Sequence, residues 1–407
     1  MKVILFDLRT SGHHIEYVKY LARCMIEKGD KVYFFTASKD ENIERLPLKN
    51  GKFEVIYAKE EEAPYKPSET GFWRRNFNMY LSLRKCFRFA KDNEVQIIHL
   101  MYLEWNELSL LLSQLLTNYD LPPIFGTMVA PYFNLGKGER SIIKGLYYSL
   151  NNVTMKEMLK WNWLEGVFTM SRKNRDMLLS RWGVVGKKKV IAVPDPVEGI
   201  GVQVSQSKAR QKLGLARGNT IFLFFGELRW EKGPDILLEA AKGMDLRKGN
   251  VSVVLAGTPN DIDEESVERY RKSLPGDVEI ITKLDFISDE QVPYYYLSSD
   301  VVVLPYRKTY KGTSGVLQRA ISAMRPVIAS NVGQIGEIVR SNGFGVNVEP
   351  EDPDSLAGIM SEYHNGDIKI KPEGFKENAR MYNERHHWKN MAKKIRNAYK
   401  KTLNPTQ

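Results

Sequence analysis

Two short stretches carry residue types that could bind and release a phosphate group. The first is Gly226-Glu227-Leu228-Arg229-Trp230-Glu231-Lys232-Gly233-Pro234-Asp235, where Arg229 and Lys232 put two cations on one loop. Gly226 lets a backbone approach a ligand closely. The second is Lys308-Thr309-Tyr310-Lys311-Gly312-Thr313-Ser314-Gly315, a small, hydroxylated and basic loop. A loop of this kind opening a helix presents free backbone N–H groups and the positive end of a helix dipole, which suits a diphosphate. Each stretch alone has a plainer reading, as a solvated charged loop or an ordinary strand-to-helix turn.

The elements around them decide between these readings. Residues 221–225 and 301–304 are short apolar runs, read as buried parallel strands. Pro305 stops the second. Residues 314–324 have helical spacing, with Val316, Leu317, Ala320, Ile321 and Met324 on one face. Pro326 ends that helix and a further strand follows. Pro234 and Asp235 suit the first turn of a helix continued by Ile236, Leu237 and Ala240. Two such turns in one domain face the same crevice at the carboxyl edge of a sheet.

The same alternation runs through the chain. Its 407 residues predict two domains. Strands are expected at 2–7, 31–35, 53–57, 96–99, 123–128, 167–170 and 190–193. After a linker at about 197–218, more follow at 220–225, 251–256, 278–281, 301–304 and 326–329, with a short one at 346–348. Helices between them (near 234–242, 263–274, 289–298, 314–324 and 352–363 in the second half) imply an α/β architecture of doubly wound parallel sheets. A charged helix is expected over 378–403.

Composition narrows the partners. Hydrophobic content of 43% and charged content of 27% are those of a globular domain. No run approaches the ~20 apolar residues of a membrane span. The N-terminal apolar run is cut short by Asp7 and Arg9, so it reads as a strand and not a signal peptide. Cys24 and Cys86 fit apolar helix positions, as free thiols in a reducing cytoplasm. Net charge is +11, but the cations are dispersed and no nucleic-acid motif is present, so nucleic acid is not expected as a partner. The segment 72–91 interleaves Phe72, Trp73, Phe77, Tyr80, Leu81, Phe87 and Phe89 with Arg74, Arg75, Arg84, Lys85, Arg88 and Lys91. It is either a core helix with a charged outer face or a helix that lies on an anionic membrane surface. Asp261-Ile262-Asp263 has the form of a metal-binding pair, but it opens a helix, where carboxylates are favoured anyway, and no metal is expected.

The run FFGELRWEKGPDILLEA, followed by TSGVLQRAISAMRPVIASNVGQIGE, resembles the C-terminal domain of retaining GT-B glycosyltransferases of the family-4 type. The resemblance implies two Rossmann-like domains facing a central cleft. Residues 1–197 would be the acceptor side, with helix 378–403 packing back on it, and residues 198–377 the donor side. The implied reaction moves a sugar from a nucleotide diphosphate, UDP- or GDP-linked, to the hydroxyl of a glycan or lipid-linked acceptor, as in polysaccharide biosynthesis. It retains anomeric configuration and needs neither metal nor cofactor. Fixed cations and helix N-termini can carry the departing charge. Arg229 and Lys232 take the catalytic role on the diphosphate. Gly12, Gly226, Thr313, Ser314, Gly315, Val316, Leu317 and Glu337 surround the donor, and His13 and His14 fall on the acceptor side. Family members working on lipid-linked acceptors imply a cytoplasmic enzyme, peripheral on the inner face of the membrane.

The chain departs from the family pattern in two places. The segment Gly126-Thr127-Met128-Val129-Ala130-Pro131-Tyr132 has no histidine where members commonly carry one near the reacting sugar. Lys311 and Arg319 stand where many members carry a pair of glutamates, which matches a subset with an SGVL-type turn and leaves the ribose contact unassigned. The alternatives are a catalytically silent GT-B subunit that serves a partner enzyme, or another GT-B enzyme such as a sugar-nucleotide epimerase or a phosphorylase.

Overall fold

Short apolar strands alternate with amphipathic helices in two separate runs, and each run closes a parallel sheet of its own. In the computed structural model residues 1–196 together with 386–407 form one unit, and residues 197–385 form the other. The structure describes all residues except 11, 12, 38, 40, 45, 47–50, 59–71, 105, 117–119, 130–141, 161–163, 198, 248, 311–313 and 405–407; at 13, 41, 42, 72, 73, 114, 142–148, 151 and 184–188 it describes backbone alone.

The first unit contains β1 (Lys2–Phe6), α1 (His13–Glu27), β2 (Lys31–Thr36), α2 (Glu41–Glu44), β3 (Phe53–Tyr57), α3 (Phe72–Asp92), β4 (Ile97–Leu100), α4 (Glu107–Leu115), β5 (Ile124–Met128), α5 (Ile142–Lys160), β6 (Gly166–Thr169), α6 (Arg172–Lys189) and β7 (Val190–Ala192). Its seven strands run in the order β3-β2-β1-β4-β5-β6-β7, all parallel. Strand side chains alternate between the two faces. Ile4 and Phe6 join Leu83, Phe87 and Trp182 in one core layer. Val3 and Leu5 join Val18, Leu21 and Met25 in the other.

The second unit contains α7 (Gln206–Leu213), β8 (Thr220–Phe225), α8 (Pro234–Lys242), β9 (Val251–Ala256), α9 (Glu264–Arg271), β10 (Val278–Lys283), α10 (Val292–Ser298), β11 (Val301–Leu304), α11 (Gly315–Ser322), β12 (Val327–Ser330), α12 (Gly333–Asn342), β13 (Gly345–Val348), α13 (Pro353–Asn365) and α14 (Phe375–Arg385). The order is β10-β9-β8-β11-β12-β13, again parallel. The supposed linker thus holds a helix. Ser205 caps α7 by accepting from the Lys208 N–H at 3.3 Å, and Gly214, at φ 68°, ends it. From α7, Arg210 reaches Asp300 at 2.7 Å, which ties the segment to the sheet.

The expected single tail helix is two helices. His387 adopts an extended backbone, and its imidazole accepts from the Lys389 N–H at 3.1 Å, so a new helix, α15 (Trp388–Leu403), starts there. Helix α14 packs on α11 in the second unit. Helix α15 returns to the first unit: Trp388 stacks on Tyr20 at 4.7 Å, and Arg396 pairs with Asp30 at 2.6 Å. Tyr399 bonds the buried His99, whose other nitrogen lies 2.7 Å from the Thr127 hydroxyl.

Candidate active site

In the second unit the strand order reverses between β8 and β11, with β9 and β10 on one side and β12 and β13 on the other. Ligands of open α/β sheets bind outside the carboxyl ends at such a point. Both candidate phosphate loops leave these two strands. After β8 the backbone turns at Gly226, with φ 99°, then makes a short 3-10 turn over Trp230–Lys232 and enters α8 through Gly233, at φ 65°. A β-carbon on Gly233 would stand 2.1 Å from the Pro305 carbonyl oxygen, so only glycine lets the loop after β8 pass the one after β11.

Three of the expected residues meet here. A β-carbon on Gly226 would stand 3.3 Å from the Lys232 Nζ and 3.6 Å from the Val316 Cγ2. Lys232 is only 9% exposed. Burial first, then the Arg229 charge, lower its pKa to about 8, against the opposing pull of Glu227 and Glu231. A buried ammonium with a lowered pKa holds its proton more firmly once an anion arrives. The half-buried Arg229 guanidinium lies 3.2 Å from Glu227 and 3.8 Å from Glu231, so two carboxylates compete for it.

Helix α11 begins beside this cation. Ser314 is its cap: its hydroxyl oxygen accepts from the Leu317 N–H at 3.2 Å and lies 3.2 Å from the Tyr306 hydroxyl. That hydroxyl therefore braces the turn. Leu317 is likewise part of the core, so it supports the turn without lining it. The N–H groups of Gly315 and Val316 belong to the same first turn, which lacks intrahelical acceptors, and the space where Gly315 would carry a side chain is open. The next helix, α12, starts nearby at Gly333, at φ 48°, where a β-carbon would stand 3.8 Å from the Tyr310 carbonyl oxygen. Glu337 is exposed on α12, past the first turn, so it does not cap that helix. Arg319 is half-buried on α11, within electrostatic reach of Tyr296. Gly12, Lys311 and Thr313 lie outside the described residues, as does the side chain of His13.

Arg307 escaped the sequence reading. It binds both oxygens of Asp235, at 3.0 and 2.6 Å, donates to the Trp230 carbonyl at 2.5 Å, and lies 4.3 Å over the Trp230 ring. It clamps the two site loops together, across a separation no local pattern signals. The paired aspartates after β9 have structural partners. Asp261 accepts from the Trp230 N–H at 2.7 Å, and Asp263 caps α9 by accepting from Ser266 at 2.9 Å.

The first unit has its own polar edge, at its reversal between β1 and β4. Asp7 follows β1, and its Oδ2 lies 2.7 Å from His14 Nδ1. The His14 ring lies tilted by 35° against Tyr102, which follows β4, with centroids 3.8 Å apart. Tyr17 donates to Asp195, after β7, at 3.0 Å. On a separate face, α3 presents an exposed stripe of Arg74, Phe77, Leu81, Arg84, Arg88 and Lys91, while Leu83, Cys86, Phe87 and Ala90 are buried beneath it. The helix thus has a core side, and its outer side carries the mixed apolar and basic surface. The neighbouring α4 and α5 expose Leu112, Leu115, Leu150 and Val153. Among the described residues no helix is long and apolar enough to cross a membrane.

Residues 205–382 match the family described as glycosyl transferases group 1. An uncharacterized glycosyltransferase of Methanocaldococcus jannaschii is 30% identical over 197 residues, 47% of this chain and 47% of that protein. The chain spans about half the length of the curated relatives it matches. Among solved structures, the sucrose-phosphate synthase of Thermosynechococcus elongatus superposes with a TM-score of 0.72 at 20% identity, over 100% of both chains. An Anabaena protein solved with UDP and glucose does so with a TM-score of 0.67 at 15% identity, also over 100% of both. At these identities the likeness shows the fold, two Rossmann-like parallel-sheet units of the GT-B class. With the two loop motifs in place at the switch point, residues 205–382 of this chain are similar to the glycosyl transferases group 1 family over one of its two units.

Proposed function

We propose that the chain is a glycosyltransferase that moves a hexosyl group from a nucleoside diphosphate to an acceptor hydroxyl, with retention of configuration. The observation that carries this reading is the meeting of Gly226, Lys232 and Val316 at the β8–β11 switch point. A near-buried ammonium, a glycine gap and the open N-terminal turn of α11 offer positive charge and N–H donors together, as a leaving diphosphate requires. Arg229 joins once the diphosphate draws it from Glu227 and Glu231. No metal or cofactor beyond the sugar nucleotide is needed for this charge balance, and Asp261 and Asp263 are already engaged with backbone N–H groups.

UDP is the first nucleotide to test, because an Anabaena protein of the same fold is described with UDP and glucose. The acceptor is a glycan or a lipid-linked glycan presented at an anionic bilayer. The stripe on α3, with apolar side chains between cations and more leucines beside it, supports that surface. The enzyme would then work at the cytoplasmic face of the membrane. The test is a melting-temperature panel with UDP, GDP, ADP, CMP and dTDP, followed by transfer from the matching sugar nucleotides in the presence of EDTA. A ligand at ~100 times its Kd adds about 2.7 kcal/mol, a readable shift. A shift with one diphosphate and EDTA-resistant transfer are expected. No shift with any of them, from folded protein, would favour a silent subunit that serves a partner enzyme.

A further inference from the structure

Helix α15 turns one face into the core of the first unit and leaves the other to carry charge of a single sign. Trp388, Met391, Ala392, Ile395 and Tyr399 are buried, while Lys389, Lys393, Lys394, Asn397, Lys400 and Lys401 are exposed. The helix holds no acidic residue. Its remaining cation, Arg396, is paired with Asp30 at 2.6 Å. Among the described residues none of the five lysines takes part in an ion pair. The patch widens onto α1, where Arg23 and Lys28 are exposed against Glu27. The Lys28 carbonyl accepts from Arg396 at 3.2 Å, which joins the two elements. Lysines at i and i+4, as at 389 and 393, repel one another. A polyanion laid along the face relieves that repulsion and releases counterions.

The face runs about 18 Å from Lys389 to Lys401, at 1.5 Å per residue. It differs in kind from the stripe on α3. No exposed apolar side chain stands between its cations, so nothing enters the acyl boundary of a bilayer. It also lies on the other side of the sheet, since α15 packs in the layer of Val3 and Leu5 and α3 in the layer of Ile4 and Phe6. A planar bilayer that meets α3 therefore leaves α15 free. The face presents no aromatic ring on which a base could stack. It does place Asn397 between Lys394 and Lys401 on one row, and an amide that both donates and accepts suits sugar hydroxyls lying between anionic groups.

Resting on the transferase reading above, we propose that this face of α15 holds an acidic polysaccharide, and that the glycan the enzyme extends is of this class. Long lysines grip such a chain by charge without fixing its register, so it slides as it grows.

The experiment measures binding of a polyuronate, alginate, and of neutral dextran by calorimetry at low and high salt. Vesicles of anionic lipid and a single-stranded oligonucleotide are run alongside. The proteins are the whole chain, a variant carrying Lys389→Gln, Lys393→Gln, Lys394→Gln, Lys400→Gln and Lys401→Gln, the same five positions changed to arginine, and Phe77→Glu with Leu81→Glu on α3. Melting shifts with UDP are read on the same samples. The wild type should bind alginate and not dextran, and lose it as salt rises. The glutamine variant should bind alginate more than tenfold more weakly with its UDP shift intact, because glutamine keeps the helix and removes the charge. The arginine and α3 variants should bind it as the wild type does. If the glutamine variant melts early, Lys393→Gln with Lys400→Gln alone must still weaken alginate. No alginate binding by the wild type, or equal binding by the glutamine variants, would overturn the proposal. Loss of vesicles with alginate retained would give the face to a bilayer, and tighter binding of the oligonucleotide would give it to nucleic acid; either overturns it. A wild type that binds alginate but neither shifts with UDP nor transfers glucose would instead fell the transferase reading and leave a polysaccharide-binding surface.

Discussion

Lys232 holds its ammonium where Gly226 leaves out a side chain: a β-carbon at Gly226 would come within 3.3 Å of the Lys232 Nζ. Gly226→Ala tests that gap. The backbone at φ 99° also disfavours alanine, at a cost of about 1–3 kcal/mol. UDP affinity, measured by calorimetry below the melting range, is expected to fall more than tenfold. Unchanged affinity would separate the glycine from the ligand.

Lys232 makes the site pH-dependent in two opposite ways. Its folded pKa of about 8 lies below the ordinary 10.5, so between these values the unfolded chain binds more protons than the folded one. Stability therefore rises with pH across that window, and below about 8 the full cost of burying the charge is carried. Lys232→Met should stabilise the fold at pH 7, by an amount on the order of 1.4 kcal/mol for each tenfold loss of proton affinity that burial imposes on the lysine. That gain, read as a higher melting temperature, should vanish towards pH 10.5. UDP affinity of the wild type should fall up to tenfold per pH unit above about 8, and the methionine variant should bind UDP poorly at any pH.

The Arg307–Asp235 clamp predicts paired losses. Arg307→Ala and Asp235→Asn should each lower stability by about 2–3 kcal/mol, since each leaves a half-buried charge without its partner. Arg307→Lys should recover little, because an ammonium cannot span both carboxylate oxygens or lie flat on Trp230. In a double-mutant cycle the losses should fall well short of additive; full additivity would mean that the two residues act separately.

The stripe on α3 predicts a salt-sensitive membrane contact. Phe77→Glu with Leu81→Glu should abolish sedimentation with vesicles of anionic lipid at low salt and leave melting unchanged, because both side chains are exposed. The wild type should be released as ionic strength rises. Equal partition onto neutral and anionic vesicles would remove electrostatics from the contact.

The sheets are legible because parallel strands buried on both faces read as continuous apolar runs: residues 301–304 read as a strand and are β11, and residues 251–256 are β9. Helices with polar surroundings are harder. Helix α7 has a serine cap and a terminal glycine, but only Ala209 and Arg210 are buried, so it lacks the apolar stripe that marks a helix. The break before Trp388 depends on a histidine acting as a cap, an unusual choice. In the site, glycines and cations within one loop can be read together. Arg307 with Asp235 cannot, because 72 residues separate them and only the sheet brings them side by side. The partner of His14 lies seven residues upstream, disguised as the polar residue that ends a strand.

The first unit is also discontinuous. Its chain leaves at Pro196 and comes back at His386, so residues 197–385 amount to an insertion within it. During synthesis the inserted unit is complete before the unit around it, which waits for Trp388, Ile395 and Tyr399 to fill its core. The ribosome therefore releases the inserted half ready to fold, while the half bearing Asp7 and His14 closes last. A single cut near residue 197 leaves the later half an intact insert and the earlier half without its final helix.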